Sequence, residues 1–195
     1  MPSLRILHVS DVHCSTSNLR AVLEAEEYDA VAVTGDLECV EAVEVLKRAG
    51  GSVAAVTGNM DGYRVRQALA EAGFLVEARA VDIAGLRFVG VGGLSPHSDV
   101  EALKGLEKVD VLLSHHPPRG TLDRTFIGVR AGLKDLTELS RRLAPKAHLF
   151  GHIHEARGVE LQGQTLYVNA GPLSRGFYAI VVLEGGRAHA ELRKL

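Results

Sequence analysis

The chain has 195 residues, of which 46% are hydrophobic and 24% charged, and its formal net charge is −2. That length and apolar content suffice for one substantial core and predict a single domain over residues 1–195. A charge so near neutrality excludes a global attraction to nucleic acid or to an anionic membrane surface. Without an apolar run near the ~20 residues that cross a bilayer, or a leader pattern at the N-terminus, the expected setting is cytoplasmic with no membrane partner.

Short β-branched runs alternate with amphipathic ones. Leu4 to Val9 predicts a strand, Leu19 to Glu27 a helix and Ala30 to Thr34 a second strand, so the chain opens as a βαβ unit. Val40 to Ala49 places Val40, Val43 and Leu46 on one helical face, with Glu41, Glu44, Lys47 and Arg48 away from it. Ser52 to Val56 is a third strand and Tyr63 to Ala72 a third helix, ended by Gly73. The rhythm then changes. Arg79 to Ile83 and Leu86 to Gly92 read as a hairpin, followed by a glycine-rich loop, a short helix near Asp99 to Leu106 and a strand from Val109 to Ser114. Arg119 to Ala131 reads as a long loop, Leu133 to Leu143 as a helix and Ala147 to Phe150 as a buried strand. Gly158 to Leu161, Gln164 to Asn169, Tyr178 to Leu183 and Ala188 to Arg193 follow as an expected antiparallel meander, with turns at Gln162–Gly163 and Gly185–Gly186. Together these elements predict an α/β fold: two mixed β-sheets packed face to face and flanked by helices, a four-layer αββα sandwich.

The polar residues fall on this map in a pattern. Asp11 and His13 follow the first strand, Gly35 and Asp36 the second, and Gly58, Asn59 and Asp61 the third. His115 and His116 follow the strand from Val109, and Gly151, His152 and His154 the strand from Ala147. Ligands of open α/β sheets bind at the C-terminal ends of strands, so these loops are expected to converge on one cleft. Two histidines one residue apart face opposite sides of a regular strand; for both to reach one site the backbone must turn, and Gly151 is expected to permit that turn. Taken alone, Gly-His-x-His is as readily an ordinary polar loop. Asp11, Asp36 and Asn59 with His13, His115, His152 and His154 form a mixed oxygen and nitrogen donor set suited to Mn, Fe, Zn, Ni or Co rather than Ca or Mg. Seven donors exceed what one catalytic ion with an open position uses, so two ions sharing a carboxylate are expected.

In chain order, Asp11-x-His13, Gly35-Asp36, Gly58-Asn59-x-Asp61, His115-x-Pro117 and Gly151-His152-x-His154 resemble the motif series of the calcineurin-like metallophosphoesterase superfamily. The likeness spans residues 11–154, and Asn169 to Pro172 is similar to the family's closing strand region. Compact archaeal and bacterial members share runs like Gly151 to Gly158. The resemblance implies a metallophosphoesterase fold and a metal-dependent hydrolase of small phosphoesters, above all a phosphodiesterase. It also implies two divalent first-row ions, Mn foremost, with a bridging hydroxide for in-line attack on phosphorus. One ion would be held by Asp11, His13, Asp36 and His154, and the other by Asp36, Asn59, His115 and His152, with Asp36 shared. Asp61 would support the loop or a ligand from behind. One departure bears on mechanism: many members carry His where this chain has Met60, and a thioether donates no proton. That predicts diesters with good leaving groups, or a substitute donor among His116, His97 and Arg119; His116 and Arg119 are the candidate catalytic residues.

Other residues have plainer readings. Cys14 and Cys39 lack a CxxC partner and read as free thiols. His8 and His148 lie in apolar strands and read as packed core histidines, and His189 as a solvated one. Arg64, Arg124 and Arg130 either steer a phosphate or are merely solvated. Two rival functions remain. A metal-binding interaction scaffold of the same fold has no evident use for a complete donor set. A nuclease needs a polymer-holding surface, for which only the basic stretch Arg119 to Arg130 stands. The sequence leaves the oligomeric state open, a homodimer being one candidate only because two-fold oligomers are common.

Overall fold

In the computed structural model, which describes residues 3–195, strands β1 (Leu4–Val9), β2 (Ala30–Thr34) and β3 (Ser52–Val56) run parallel and side by side. Their continuous apolar sequences follow from burial on both faces, the usual condition of a parallel sheet. Helices α1 (Thr16–Ala25) and α2 (Val40–Leu46) make the crossovers, and α3 (Tyr63–Glu71) follows β3. The chain then builds a second sheet from the hairpin β4 (Ala80–Ile83) and β5 (Leu86–Val91), then α4 (Pro96–Ala102), β6 (Val111–Ser114), α5 (Lys134–Leu143) and β7 (Ala147–Phe150). β8 (Gly158–Gln162), β9 (Thr165–Asn169), β10 (Phe177–Glu184) and β11 (Arg187–Lys194) complete the chain. The strand orders are β11-β10-β1-β2-β3 and β4-β5-β6-β7-β9-β8.

The expected meander is not what forms. β9 lies parallel to β7 and carries β8 antiparallel at the edge of the second sheet, whereas β10 crosses to the first sheet, pairs antiparallel with β1 and carries β11. Each hairpin has one apolar face to cover, and placing one in each sheet lets the two inner faces cover each other. Helix α4 also starts earlier than the apolar spacing indicates, because Pro96 supplies the fixed φ of a first helical turn.

Alternation along the strands sorts the core into three layers. Ile6, Ala32, Val56, Phe88, Leu113, Leu149 and Val181 fill the space between the sheets. Leu7, Val31 and Val53 meet Leu19, Val43 and Leu69 of the first three helices, and Val89 and Leu112 meet Leu136 and Leu139 of α5. His8 and His148 are fully buried; burial pushes both to about 3, so they are neutral at pH 7. His8 Nε2 lies 2.9 Å from Thr34 Oγ1, and His148 sits between Ser114 Oγ at 2.8 Å and Ser140 Oγ at 3.2 Å. His189 is exposed, and both cysteines are free. Among the described residues no helix is long and apolar enough to cross a membrane.

Glu26, just past α1, ties that helix to the first sheet. Tyr178 Oη donates to its carboxylate at 2.7 Å and Arg193 Nη1 at 2.6 and 2.8 Å. Burial favours the protonated acid, but the bonds from Arg193 and Tyr178 outweigh it and hold the carboxyl below its ordinary value. A depressed native pKa contributes stability that is present above the unfolded-state pKa and lost as pH falls through the native one. Glu26→Gln is therefore expected to cost ~1–3 kcal/mol at pH 7, with the deficit shrinking below the ordinary carboxyl range and lost once pH has fallen through the depressed native value. Thermal unfolding of both proteins across that range measures it; a deficit independent of pH would assign the loss to packing.

Candidate metal centre

The parallel strands β1, β2 and β3 of one sheet and β6 and β7 of the other end on the same side of the sandwich, and backbone bonds knit the loops that follow. Asp11 N donates to Gly35 O at 3.0 Å, His13 N to Asp36 O at 2.8 Å and Gly151 N to His115 O at 3.1 Å. Asp11, His13 and His154 bring one ligand atom each within 4.8 Å of one another, and so do Asp11, Asp36 and His115. His115 Nε2 lies 2.8 Å from Asn59 Oδ1, 3.1 Å from His152 Nδ1 and 3.6 Å from Asp36 Oδ2. All seven donor residues thus belong to one connected cluster.

Neighbouring groups set which ring nitrogens are free. His115 Nδ1 donates to Thr34 O at 2.8 Å, which leaves a lone pair on Nε2 facing the cluster. His13 Nδ1 is held by Glu38 Oε1 at 2.8 Å, which frees its Nε2 in the same way. Asp61 is buried behind the centre and accepts from Gly58 N and Glu38 N, each at 2.7 Å, so it clamps two of the converging loops together. Burial pushes its carboxyl up despite those bonds.

The backbone is strained where the side chains are aimed. Asp11, His13, Cys14, Asp36, Glu38 and His152 all take positive φ, from 45° to 68°. Left-handed backbone costs an L-residue roughly 1–2 kcal/mol, and such residues gather where a fold must aim side chains at a site. The turn expected at Gly151 is in fact made by His152, at φ 68°. Gly151 is required for space instead: a Cβ there would stand 1.8 Å from Ser10 Oγ and 2.3 Å from Asp11 Oδ2.

Burial and charge prepare the cluster for a cation. Burial works to raise the Asp11 carboxyl, but the bonds from His154 and Ser10 hold it at about 2. Asp36 goes the other way, raised by burial and by the charge of Asp11. Burial lowers His115 and His152, keeping them neutral, while the Asp11 bond raises His154. Neutral imidazoles facing carboxylate and amide oxygens form a convergence of acceptors that repel one another, and a bound cation removes that repulsion.

His116 and Arg119 lie outside the cluster's bonds. The His116 ring packs 4.4 Å from that of His152, its Nδ1 is buried without a partner, and burial with the neighbouring imidazoles lowers it to about 3. Arg119 is exposed and turned into its own loop, toward Arg130 O at 3.5 Å. His97 Nδ1 is held by Asp135 at 2.5 Å. Two further residues reach the centre without a signal in the sequence. Glu38 orients His13, and Arg175, on a 3-10 turn at Leu173–Arg175, lies close enough to act on the charges of His154 and Glu155.

Comparison with known proteins adds to this geometry. The calcineurin-like phosphoesterase superfamily domain matches residues 4–180. The chain is 47% identical over 66 residues to human metallophosphoesterase domain-containing protein 1, a match covering 33% of this chain and 20% of that protein. It thus spans about a fifth of the length of such curated relatives. A dimetal phosphatase from Danio rerio superposes with TM-score 0.71 at 13% identity, covering 100% of this chain and 97% of the other. An archaeal phosphodiesterase superposes with TM-score 0.64 at 18% identity, covering 98% and 100%. At these identities the likeness is one of fold.

Gly151→Ala is expected to lower Mn²⁺ affinity at least tenfold and stability by ~1–3 kcal/mol, because Ser10 and Asp11 must give way. Gly50→Ala, where an added Cβ meets nothing within 4 Å, is the neutral control. Calorimetric metal titration and thermal unfolding read both effects.

Proposed function

The chain belongs to the calcineurin-like phosphoesterase superfamily, and from that premise we propose that residues 1–195 form one domain that acts as a metal-dependent phosphodiesterase of small phosphoesters. The observation that carries the proposal is the connected cluster of seven donors, with His115 Nε2 left as a lone pair against Asn59 and Asp36. The donor set fits divalent first-row ions, Mn foremost. Asp11, His13, Asp36 and His154 would hold one ion, and Asp36, Asn59, His115 and His152 the other, with Asp36 shared. Such a pair, when bound, acidifies water to a nucleophile and neutralises charge on the phosphoryl oxygens. The dimetal phosphatase and the archaeal phosphodiesterase of the same fold support this assignment.

The chain's own residues position and discriminate. Met60 N donates to Asp36 Oδ1 at 2.9 Å and so orients the shared carboxylate, while Glu38 and Thr34 fix the tautomers of His13 and His115. Arg175, whose charge acts on His154, is suited to draw an anion into the cleft. Proton donation to the leaving oxygen is the step the chain leaves unsupported. The Met60 side chain donates none, and His116, at about 3, is neutral at pH 7 and can offer a hydrogen bond but not an imidazolium proton. A leaving group must then depart largely unaided, which favours aryl over alkyl esters and diesters over monoesters.

Metal-stripped protein is expected to hydrolyse bis-p-nitrophenyl phosphate only as Mn²⁺ is returned, and Asp36→Asn to lose that response; metal uptake with no turnover in the wild type would overturn the hydrolase reading. Met60→His is expected to raise kcat for alkyl leaving groups roughly tenfold or more while changing aryl substrates little. Equal gains for both classes would show that position 60 acts otherwise than through the leaving group.

A further inference from the structure

Among the described residues nine large apolar side chains are exposed, and six of them come from three segments bordering the donor cluster: Met60, Tyr63, Leu94, Phe126, Ile127 and Val129. Large apolar side chains left in the open around one site mark a candidate binding surface.

Two banks are visible. Met60 follows Asn59 and bonds to Asp36 through its backbone, Tyr63 opens α3 three residues on, and Leu94 follows Gly93, whose N–H donates to Thr57 O at 2.6 Å. The other bank is the tip of the segment 119–131, which is a stiff hairpin and not a slack loop. Thr125 N donates to Val129 O at 2.8 Å, Gly128 N to Thr125 O at 2.7 Å and Arg124 Nη1 to Gly128 O at 3.1 Å. At its root, buried Asp123 accepts from Gly120 N at 2.9 Å and pairs with Arg130 at 2.8 Å. The tip presents Phe126, 92% exposed, and Ile127, 81% exposed. Phe126 N donates to the carboxylate of Glu155, the residue after His154, so the tip is stapled to the loop that carries the last donors.

We propose that this site takes phosphodiesters with a bulky apolar ester group, aryl or alkyl, and that Phe126 and Ile127 at the hairpin tip hold that group while the donor cluster takes the phosphate. The inference rests on the phosphoesterase reading. A small polar anion would leave both banks in water. A protein partner needs about 800 Å² of continuous surface, whereas here a polar centre divides the apolar surface in two. An anion with an apolar arm matches that division, and a tip held rigid by its own hydrogen bonds loses little entropy on binding it.

The test is calorimetric titration of Mn²⁺-loaded protein with O-methyl and O-octyl methylphosphonate, diester-like anions with unactivated alkoxy groups. The octyl probe is expected to bind about tenfold or more tighter than the methyl probe. Phe126→Ser/Ile127→Ser, both changes at an exposed tip, should reduce that ratio to about twofold with methyl binding unchanged. Leu161→Ser, which alters exposed apolar surface on β8, should leave the ratio intact. A wild-type ratio near one, absence of octyl binding, or a ratio that survives the tip variant each overturns the proposal. So does capture of the tip by a protein partner with no octyl preference. Octyl preference without turnover of bis-p-nitrophenyl phosphate would sink the hydrolase reading alone, and turnover without preference would sink only this inference.

Discussion

The structure depends most on one contact between its two sheets. The Asp11 carboxylate accepts from His152 N at 3.1 and 3.3 Å and lies 3.2 Å from His154 Nε2, joining residues 141 and 143 positions apart in the chain. A carboxylate this deeply buried stays charged only if donors surround it. That requirement brings the loop after β7 hard against the loop after β1, leaves no room for a side chain at Gly151, and forces the turn onto His152. The ends of β2, β3 and β6 then have one place to point.

Strain and burial are concentrated in the same few residues. Left-handed backbone at six positions around the centre and the buried carboxylates of Asp36 and Asp61, both pushed up by burial, oppose folding. What offsets them is the three-layer apolar core, in which strands buried on both faces hold the loop roots in register. Asp61 and Glu38 act in between. Their bonds to Gly58, to Glu38's own backbone and to His13 convert the rigidity of the sheets into fixed directions for side chains.

Six exposed apolar side chains come from segments bordering this polar centre, and Met60 belongs to both. Its backbone N–H orients Asp36, while its thioether lies exposed beside the Tyr63 and Leu94 side of the rim. Replacing a polar side chain with an apolar one at that point gives up proton donation and extends apolar surface to the edge of the donor cluster. Both changes bear on the same proposal, an ester whose organic part is apolar and whose leaving oxygen needs little help.

Strands β1, β2, β3 and β7 could be read from the chain with their observed ends, because a strand buried on both faces writes its limits in its own apolar run. The residues that converge on the centre could be read for a similar reason: each lies in the loop after a parallel strand, and residue type declares what it is able to ligate. Helix α4 was displaced in that reading because the apolar spacing of Val100, Leu103 and Leu106 competes with the start signal at Pro96. Glu38 and Arg175 carried no signal, since nothing local distinguishes a carboxylate that orients a histidine from one in water. By itself, then, the sequence determined the alternation of strands and helices, the places where strands stop and the chemistry waiting there, all of which are properties of neighbouring residues. Only the tertiary structure decided which hairpin joined which sheet, that His152 and not Gly151 makes the turn, and that Phe126 is bonded to Glu155, the residue after His154. Those outcomes depend on contacts between residues far apart in the chain, where packing and the pairing of buried charge override local preference.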